Sequence, residues 1–438
     1  MESNLPADPL TGDPRATRAD HTCAGPSPQA RREARAGLYV HVPFCATRCT
    51  YCDFSSGSLS REAVERYLRG VAVEAGRRSP AAAEIEFTSV FFGGGTPSAL
   101  SARHFTVVMA RLREHFRIHP RAEITLEANP ESVRPALLEA WAAGGVNRLS
   151  MGAQSFVPEE LSLLGRIHPA ERPLQAVALA RAAGFTRLSL DLMYGYPGHT
   201  LERWESSLAT ALECGIEHLS AYCFIPEGGT SLGDAIADGT LRLPDADLQA
   251  ECNDALTRRT REAGFAPYET SNFCRPGAEA RHNLVYWLRR PYVGLGPSAH
   301  GLLHGERYGN HYALARWAAA LERGESPESE RELETGDSAA EEIVMLGLRL
   351  AGGLRSVDYG RGEWRSVSSR FRVAMERAVI AGRLERTATG YRIPARMRFL
   401  ADDVIAWVAA RAARPSVDSA RPRTIIEAPC HNLHSSAI

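Results

Sequence analysis

The chain contains no lysine; all 51 of its basic residues are arginines, set against 52 acids for a formal net charge of −1. That balance removes any general electrostatic pull toward nucleic acid or anionic lipid, so no nucleic acid is expected as a partner. No apolar run approaches the roughly 18 to 20 residues that a membrane helix needs. The first residues lack the apolar core of an export signal, and the expected compartment is the cytoplasm. Nine cysteines are odd in number and unevenly spaced. In a reducing compartment they argue against a disulfide framework and for metal binding or catalysis where they cluster.

What is present is ordinary globular material. Apolar residues make up 44% and charged residues 24%, and 438 residues suffice for a large domain plus a smaller one. Short runs rich in β-branched or aromatic residues, bounded by Gly, Pro or Asn, predict strands at 37–42, 88–94, 122–128, 146–152, 186–194 and 217–224. Amphipathic stretches between them predict helices at 61–77, 102–116, 133–143, 173–183, 201–214 and 245–263. Gly144, Gly184, Gly215 and Gly264 follow four of these as helix caps would.

Such alternation predicts an α/β fold with parallel strands, closed as a barrel or open as a doubly wound sheet. Either way the ligand edge is the carboxyl end of the strands. The residues of chemical interest fall there: the cysteines after the first strand, Gly93–Thr96 after the second, then Glu127, Gln154 and Asp191.

The flanks differ. Residues 1–36 and 412–438 read as tails rich in Pro, Ala and charge. The β/α domain is expected over 37–270, and a connecting segment without clear rhythm over 271–335. A small, mostly helical, winged-helix-like domain is expected over 336–411, with a short β-ribbon and a structural rather than nucleic-acid role.

The sharpest motif is "HVPFCATRCTYCDF", which places Cys45, Cys49 and Cys52 in a CxxxCxxC array. Thiolates suit iron–sulfur clusters and zinc. Three of them on a four-iron cube leave one iron open, as a catalytic zinc keeps one position open for substrate. The bland alternative is a structural zinc held by the same cysteines and His41. The position of the array at the functional edge, with no second cysteine pair at finger spacing, weighs against it.

At this point the residues resemble a known family. CxxxCxxC with Tyr51 before the last cysteine, at the head of a β/α repeat, resembles the radical SAM superfamily. That implies a partial (β/α)6-type barrel, a [4Fe–4S] cluster held by Cys45, Cys49 and Cys52, and S-adenosyl-L-methionine on the free iron. There, one electron cleaves the S–C bond to give a 5′-deoxyadenosyl radical. The motifs "YVHVPFCATRCTYCDF", "FFGGGTPS", "LEANP", "NRLSMGAQSF", "LGRIH", "DLMYGYPG", "YETSNF", "HNLVYW" and "GLGPSAHG" resemble the oxygen-independent coproporphyrinogen III oxidase family, and within it the heme-chaperone branch, HemW. The resemblance implies that Tyr39, Tyr51, Gly94, Gly95, Thr96, Glu127, Gln154, Arg166 and Asp191 contact the cofactor.

It also implies heme as ligand and an acceptor protein for it, with membrane association of that acceptor left open. An electron donor is implied if S-adenosylmethionine is cleaved. The decarboxylating oxidases carry a further cysteine where this chain has Phe54, which favours heme binding over oxidation of coproporphyrinogen III. In "HNLVYW", His282 and Tyr286 share a helix face; His282 is the candidate axial ligand, against the alternative of a buried junction histidine. The loop "AYCFIPEGGTSL" departs from the family pattern, with Gly228 where proline is usual, and most of Cys214, Cys223, Cys252 and Cys274 read as small buried hydrophobes.

Overall fold

The computed structural model describes residues 25–57 and 59–413. The expectations for residues 1–24 and for the tail from 414 onward lie outside the described residues.

Six parallel strands form the centre: β1 (Gly37–Val42), β2 (Glu86–Gly94), β3 (Arg117–Ala128), β4 (Arg148–Gln154), β5 (Arg187–Tyr194) and β6 (His218–Cys223). All six residues of β1 are buried, the signature of a strand covered on both faces. Helices α1 (Pro28–Glu33) through α9 flank them: α2 (Arg61–Arg78), α3 (Ala102–His115), α4 (Pro135–Ala143), α5 (Pro158–Leu163), α6 (Arg172–Ala182), α7 (Leu201–Glu213), α8 (Ser231–Ala237) and α9 (Ala246–Glu262). Ser60, Ser101, Thr200 and Asp245 cap the starts of α2, α3, α7 and α9 by accepting from backbone N–H groups. The left-handed residue after α4 is Gly145 (φ 93°) rather than Gly144.

Sequence alternation had left barrel and open sheet unresolved. The strand order β12-β11-β10-β9-β1-β2-β3-β4-β5-β6-β8-β7 is open at both ends. Strands β7 (Ala266–Pro267), β8 (Asn272–Cys274), β9 (Tyr292–Leu295), β10 (His300–Leu303), β11 (Glu306–Asn310) and β12 (Glu328–Leu333) extend the parallel core on both sides. The expected connecting segment over 271–335 is therefore part of the sheet. These strands carry little periodicity because they are short and glycine-rich for packing reasons. A Cβ on Gly301 would lie 2.2 Å from the Tyr308 ring, and one on Gly294 1.9 Å from a carbonyl oxygen. Strand β9 runs parallel to β1, pairing Gly37 with Tyr292.

Buried Glu74 on α2 ties this extension to the core. It accepts from Trp317 Nε1 (3.0 Å), Gly296 N (2.8 Å), Asn310 Nδ2 (2.8 Å) and Arg78 Nε (2.8 Å), so its charge is compensated from every side.

Two further helices, α10 (Arg281–Trp287) and α11 (Leu314–Glu322), cover the sheet. Beyond them α12 (Gly336–Arg349), α13 (Arg361–Ile380) and α14 (Ala401–Ala409) pack around a separate core that includes Ile343, Phe371 and Val404. A three-stranded antiparallel ribbon, β13 (Leu354–Arg355), β15 (Gly390–Arg392) and β14 (Glu385–Thr387), lies beside them. Arg289 joins this region to the β/α core through ion pairs with Glu334, Glu342 and Glu363.

One boundary is corrected. Residues 25–36 do not belong to a tail. Ser27 caps α1, Pro28 opens it, and Ala30 and Ala34 are buried with α10 residues such as Leu284 and Trp287. Arg31 forms a buried ion pair with Asp358 of the C-terminal region.

Candidate functional site

Strand register sets the site. Val42 pairs with Gly94, Glu127 with Ser150, and Gly152 with Asp191. The ends of β1 to β5 are thus level, and the loops that leave them meet over one edge. A cavity of about 440 Å³ opens there. Its wall carries Cys45, Cys49 and Cys52, and with them Tyr51, Phe54, Gly94, Gly95 and Thr96. Glu127, Gln154, Arg166 and Asp191 complete the ring from β3, β4, the turn after α5, and β5.

The cysteine loop is held close to the second strand's turn. Gly57 N donates to Pro43 O at 2.8 Å, and Gly95 N to Val42 O at 2.9 Å. A Cβ on Gly95 would lie 2.8 Å from Phe44 O and 3.0 Å from Cys45 Sγ, so only glycine lets the two loops touch. Gly94 adopts φ 104°, and a side chain there would strike the His41 ring at 2.7 Å. Tyr312 pins the loop from outside: its hydroxyl donates to Asp53 O at 2.7 Å, and Ser55 Oγ donates to Tyr312 O at 2.6 Å.

Burial pushes the Cys52 thiol up to about 12 and raises Cys45 as well, with Thr96 Oγ1 at 3.4 Å from the Cys45 sulfur working the other way. Buried thiols lose their protons to a coordinating cation, which supplies the charge that burial removes. Arg166 stands beside Cys49, with Nη1 at 3.5 Å from its sulfur and Nη2 donating to Gly152 O (2.7 Å) and Asn129 Oδ1 (3.0 Å). Gln154 is left-handed (φ 66°), an unfavourable conformation for a side chain of this kind that is often found at ligand sites.

Across the cavity lie two acids. Burial raises Glu127 well above the usual carboxylate range, and the neighbouring Asp191 adds to it, opposed by the Gly94 N–H. Burial likewise raises Asp191, against a hydrogen bond from Ser150 Oγ at 3.1 Å. Two carboxylates facing one buried space favour a cationic occupant, which would let both ionise.

Three thiols on the wall of one cavity suit a thiolate-bound metal group. In a four-iron cube each thiolate would hold its own iron. His41 does not join the cysteines: its Nδ1 meets Tyr39 Oη at 3.1 Å and its Nε2 meets Ser55 O at 3.1 Å.

Two of the sequence-derived site residues stand elsewhere. Tyr39 does not line the cavity. It lies one layer deeper in the β/α core, packed with Phe91 and Ala299. His282 is farther still, fully buried near the start of β1, where a Cβ on Gly37 would touch its ring at 2.9 Å. Its Nδ1 meets Ser89 Oγ at 3.0 Å and its Nε2 meets Tyr286 Oη at 3.0 Å. The helical spacing that suggested a shared ligand face instead pairs His282 with Tyr286.

Burial depresses His282 to about 3, so folding requires the neutral ring. A depressed histidine contributes stability fully above its unfolded pKa near 6.5 and loses it as pH falls toward the folded value. The stability gap between wild type and H282Q is therefore expected to narrow below pH 6.5, by roughly 1.4 kcal/mol per pH unit. Urea unfolding of both proteins at pH 7 and pH 5 measures it; a gap independent of pH would contradict the assignment.

Sequence reasoning missed part of the wall. Asn129 bridges Arg166 and Thr96 (Nδ2 to Oγ1, 3.5 Å), and it stood unremarked inside "LEANP". Gln249 and Asn253 of α9, and Arg349, Phe399 and Asp402 of the C-terminal region, close the outer side. Helix and surface patterns carried no signal for them, because their role arises only when the C-terminal region docks.

Residues 39–211 match the Radical SAM superfamily. The chain is 36% identical over 375 residues to the "Heme chaperone HemW" of Mycobacterium tuberculosis, covering 84% of this chain and 93% of that protein. It is 32% identical to the Bacillus subtilis protein of the same name, over 76% of this chain and 88% of that one. To the mouse mitochondrial "Radical S-adenosyl methionine domain-containing protein 1" it is 41% identical, over 69% and 68% of the two chains. Among solved structures it resembles the coproporphyrinogen III oxidase HemN of Escherichia coli with a TM-score of 0.74 at 23% identity, over 87% and 92% of the two chains, a likeness of fold. With these matches running nearly the full length of the mycobacterial relative, the chain belongs to the HemW branch of the radical SAM superfamily.

Proposed function

We propose that this protein is a heme chaperone. Cys45, Cys49 and Cys52 hold a [4Fe–4S] cluster, S-adenosylmethionine occupies the rest of the strand-end cavity, and heme passes to an acceptor protein. The observation that carries this reading is the meeting of three thiols with Gly95, Glu127, Arg166 and Asp191 around one cavity at the strand ends. The names of the relatives, heme chaperone HemW, support the heme-handling part.

Each side chain has a definable task. Gly94 and Gly95 bring backbone groups against the ligand. Arg166, fixed by Gly152 and Asn129, presents a forked donor suited to a carboxylate. Glu127 and Asp191 balance a sulfonium or accept from ribose hydroxyls. When bound, the cluster supplies the electron that S-adenosylmethionine accepts. Phe54 lines the cavity where the decarboxylating relatives are expected to have a cysteine, which supports chaperone over oxidase.

His282 enters the heme reading only under a condition. With α10 seated, both ring nitrogens are engaged and the ring is fully buried. Axial ligation requires α10 to leave β2 and iron to replace the Tyr286 hydroxyl. Hemin titration of the reconstituted protein tests the function, run beside an assay for decarboxylation of coproporphyrinogen III. A saturable Soret shift without a divinyl product is expected; turnover to that product would overturn the chaperone reading. In the same titration, a shift lost in H282A assigns the ligand to His282, and an undiminished shift places the heme elsewhere.

A further inference from the structure

A second cleft, of about 440 Å³, lies away from the cysteine cavity. It is bounded by α1, by Arg290 beyond α10, and by the turn through Arg355 and Asp358. Because α1 runs into the start of β1 and Arg290 into the start of β9, this cleft sits at the amino ends of the parallel strands.

Its lining carries five arginines, Arg31, Arg32, Arg35, Arg290 and Arg355, against one carboxylate, Asp358. That carboxylate is shared. It pairs with Arg31 and lies 3.8 Å from Arg355 Nε. Arg31 is 5% exposed, and its Nη2 has no hydrogen-bond partner among the described residues. Glu33, the acid of α1, pairs with Arg281 rather than with the cleft. Among the described residues Arg32 and Arg290 have no ion-pair partner.

Five guanidinium groups around one carboxylate repel one another, and arginine does not escape by losing its proton. Burial lowers Arg31 below the usual guanidinium range; Asp358 opposes this, and Arg355 and Arg290 add to it. A ligand of one negative charge would leave most of the excess standing. Arginines from three separate chain segments line the cleft, Arg31 buried, Arg290 and Arg355 half-buried, Arg32 and Arg35 exposed; guanidinium forks suit a tetrahedral oxyanion, which accepts bidentate bonds from several directions. The remaining lining, Pro28, Ala34 and Val357, is apolar and offers little to a neutral polar ligand.

We infer that this cleft is a binding site for a phosphate-bearing polyanion, which joins α1 to the C-terminal region when bound. The inference does not rest on the heme reading. Because the ligand bridges segments that must stay together in the folded state, binding raises thermal stability.

The test uses the full chain with inorganic pyrophosphate at constant ionic strength, followed by calorimetry and thermal unfolding. A saturable isotherm and a rise in Tm are expected. R32Q/R290Q is expected to weaken binding about tenfold or more while Tm without ligand stays at or above the wild-type value, and R103Q, an exposed arginine elsewhere, is expected to match wild type. Should the double variant fail to fold, R32Q alone is read, with a loss of at least about threefold. Sedimentation with phosphatidylglycerol vesicles separates the sources. Binding that R32Q/R290Q removes and pyrophosphate displaces assigns the phosphate to a lipid headgroup, and its absence assigns it to a soluble ligand. Non-saturable pyrophosphate binding, or equal affinity in R32Q/R290Q and wild type, would overturn the inference.

Discussion

Anaerobic reconstitution of C49A is expected to yield a nearly colourless protein with less than about one iron per chain, where wild type takes up about four. Cys49 is the middle cysteine of the array, and neither Arg166 nor His41 offers a substitute. Arg166 approaches its sulfur, but a cation cannot take its place, and His41 is engaged with Tyr39 and Ser55. Two thiolates on a loop of this length leave two irons without protein ligands, and the cube is lost to solvent. The folded state should survive, since Cys49 is only half-buried and outside the hydrophobic core. Iron and sulfide assays with a circular-dichroism melt check both halves. A C49A protein that keeps full iron would show that the array is not the cluster site.

The second large effect falls on R166A. Its guanidinium reaches Cys49, Asn129 and Gly152 at once, from the turn that follows α5. If it anchors the carboxylate of S-adenosylmethionine, truncation removes a forked charge-assisted bond in a buried site and costs about 2–4 kcal/mol of binding. Affinity is then expected to fall roughly 30- to 1,000-fold, while iron content stays at the wild-type level. Equilibrium dialysis of the reconstituted proteins measures it. A loss of iron in parallel would move Arg166 from ligand binding to support of the cysteine loop.

The core of this fold was legible from periodicity. The runs 37–42, 88–94 and 186–194 contain strands because both faces are covered, and the residues that follow them reach the cavity because parallel strands end level. Cys45, Gly95, Glu127 and Asp191 could be placed at one edge before any coordinates. The helices and short ribbon of the region from 336 onward were also legible, but between 265 and 335 legibility failed for a physical reason. Strands β9 to β11 are four or five residues long, and Gly294 and Gly301 stand where packing leaves no room for a side chain. Their pattern reads as loop.

Helix α1 was hidden differently: its six residues "PQARRE" resemble a charged tail until Ala30 and Ala34 meet α10. The places of Tyr39 and His282 have the same origin: both are residue types that suit a cofactor, and strand alternation and the seat of α10 direct them away from the strand-end cavity. Side-chain direction depends on tertiary placement that motif spacing does not carry.

The central claim is that three thiolates leave one iron open to an exchangeable ligand. Electron paramagnetic resonance of the reduced, reconstituted protein, recorded before and after adding S-adenosylmethionine, tests it most directly. A [4Fe–4S] signal is expected whose g values shift on addition in wild type and do not shift in R166A at the same concentration. A signal indifferent to S-adenosylmethionine at saturating concentration, or a protein that takes up zinc and no iron, would contradict it.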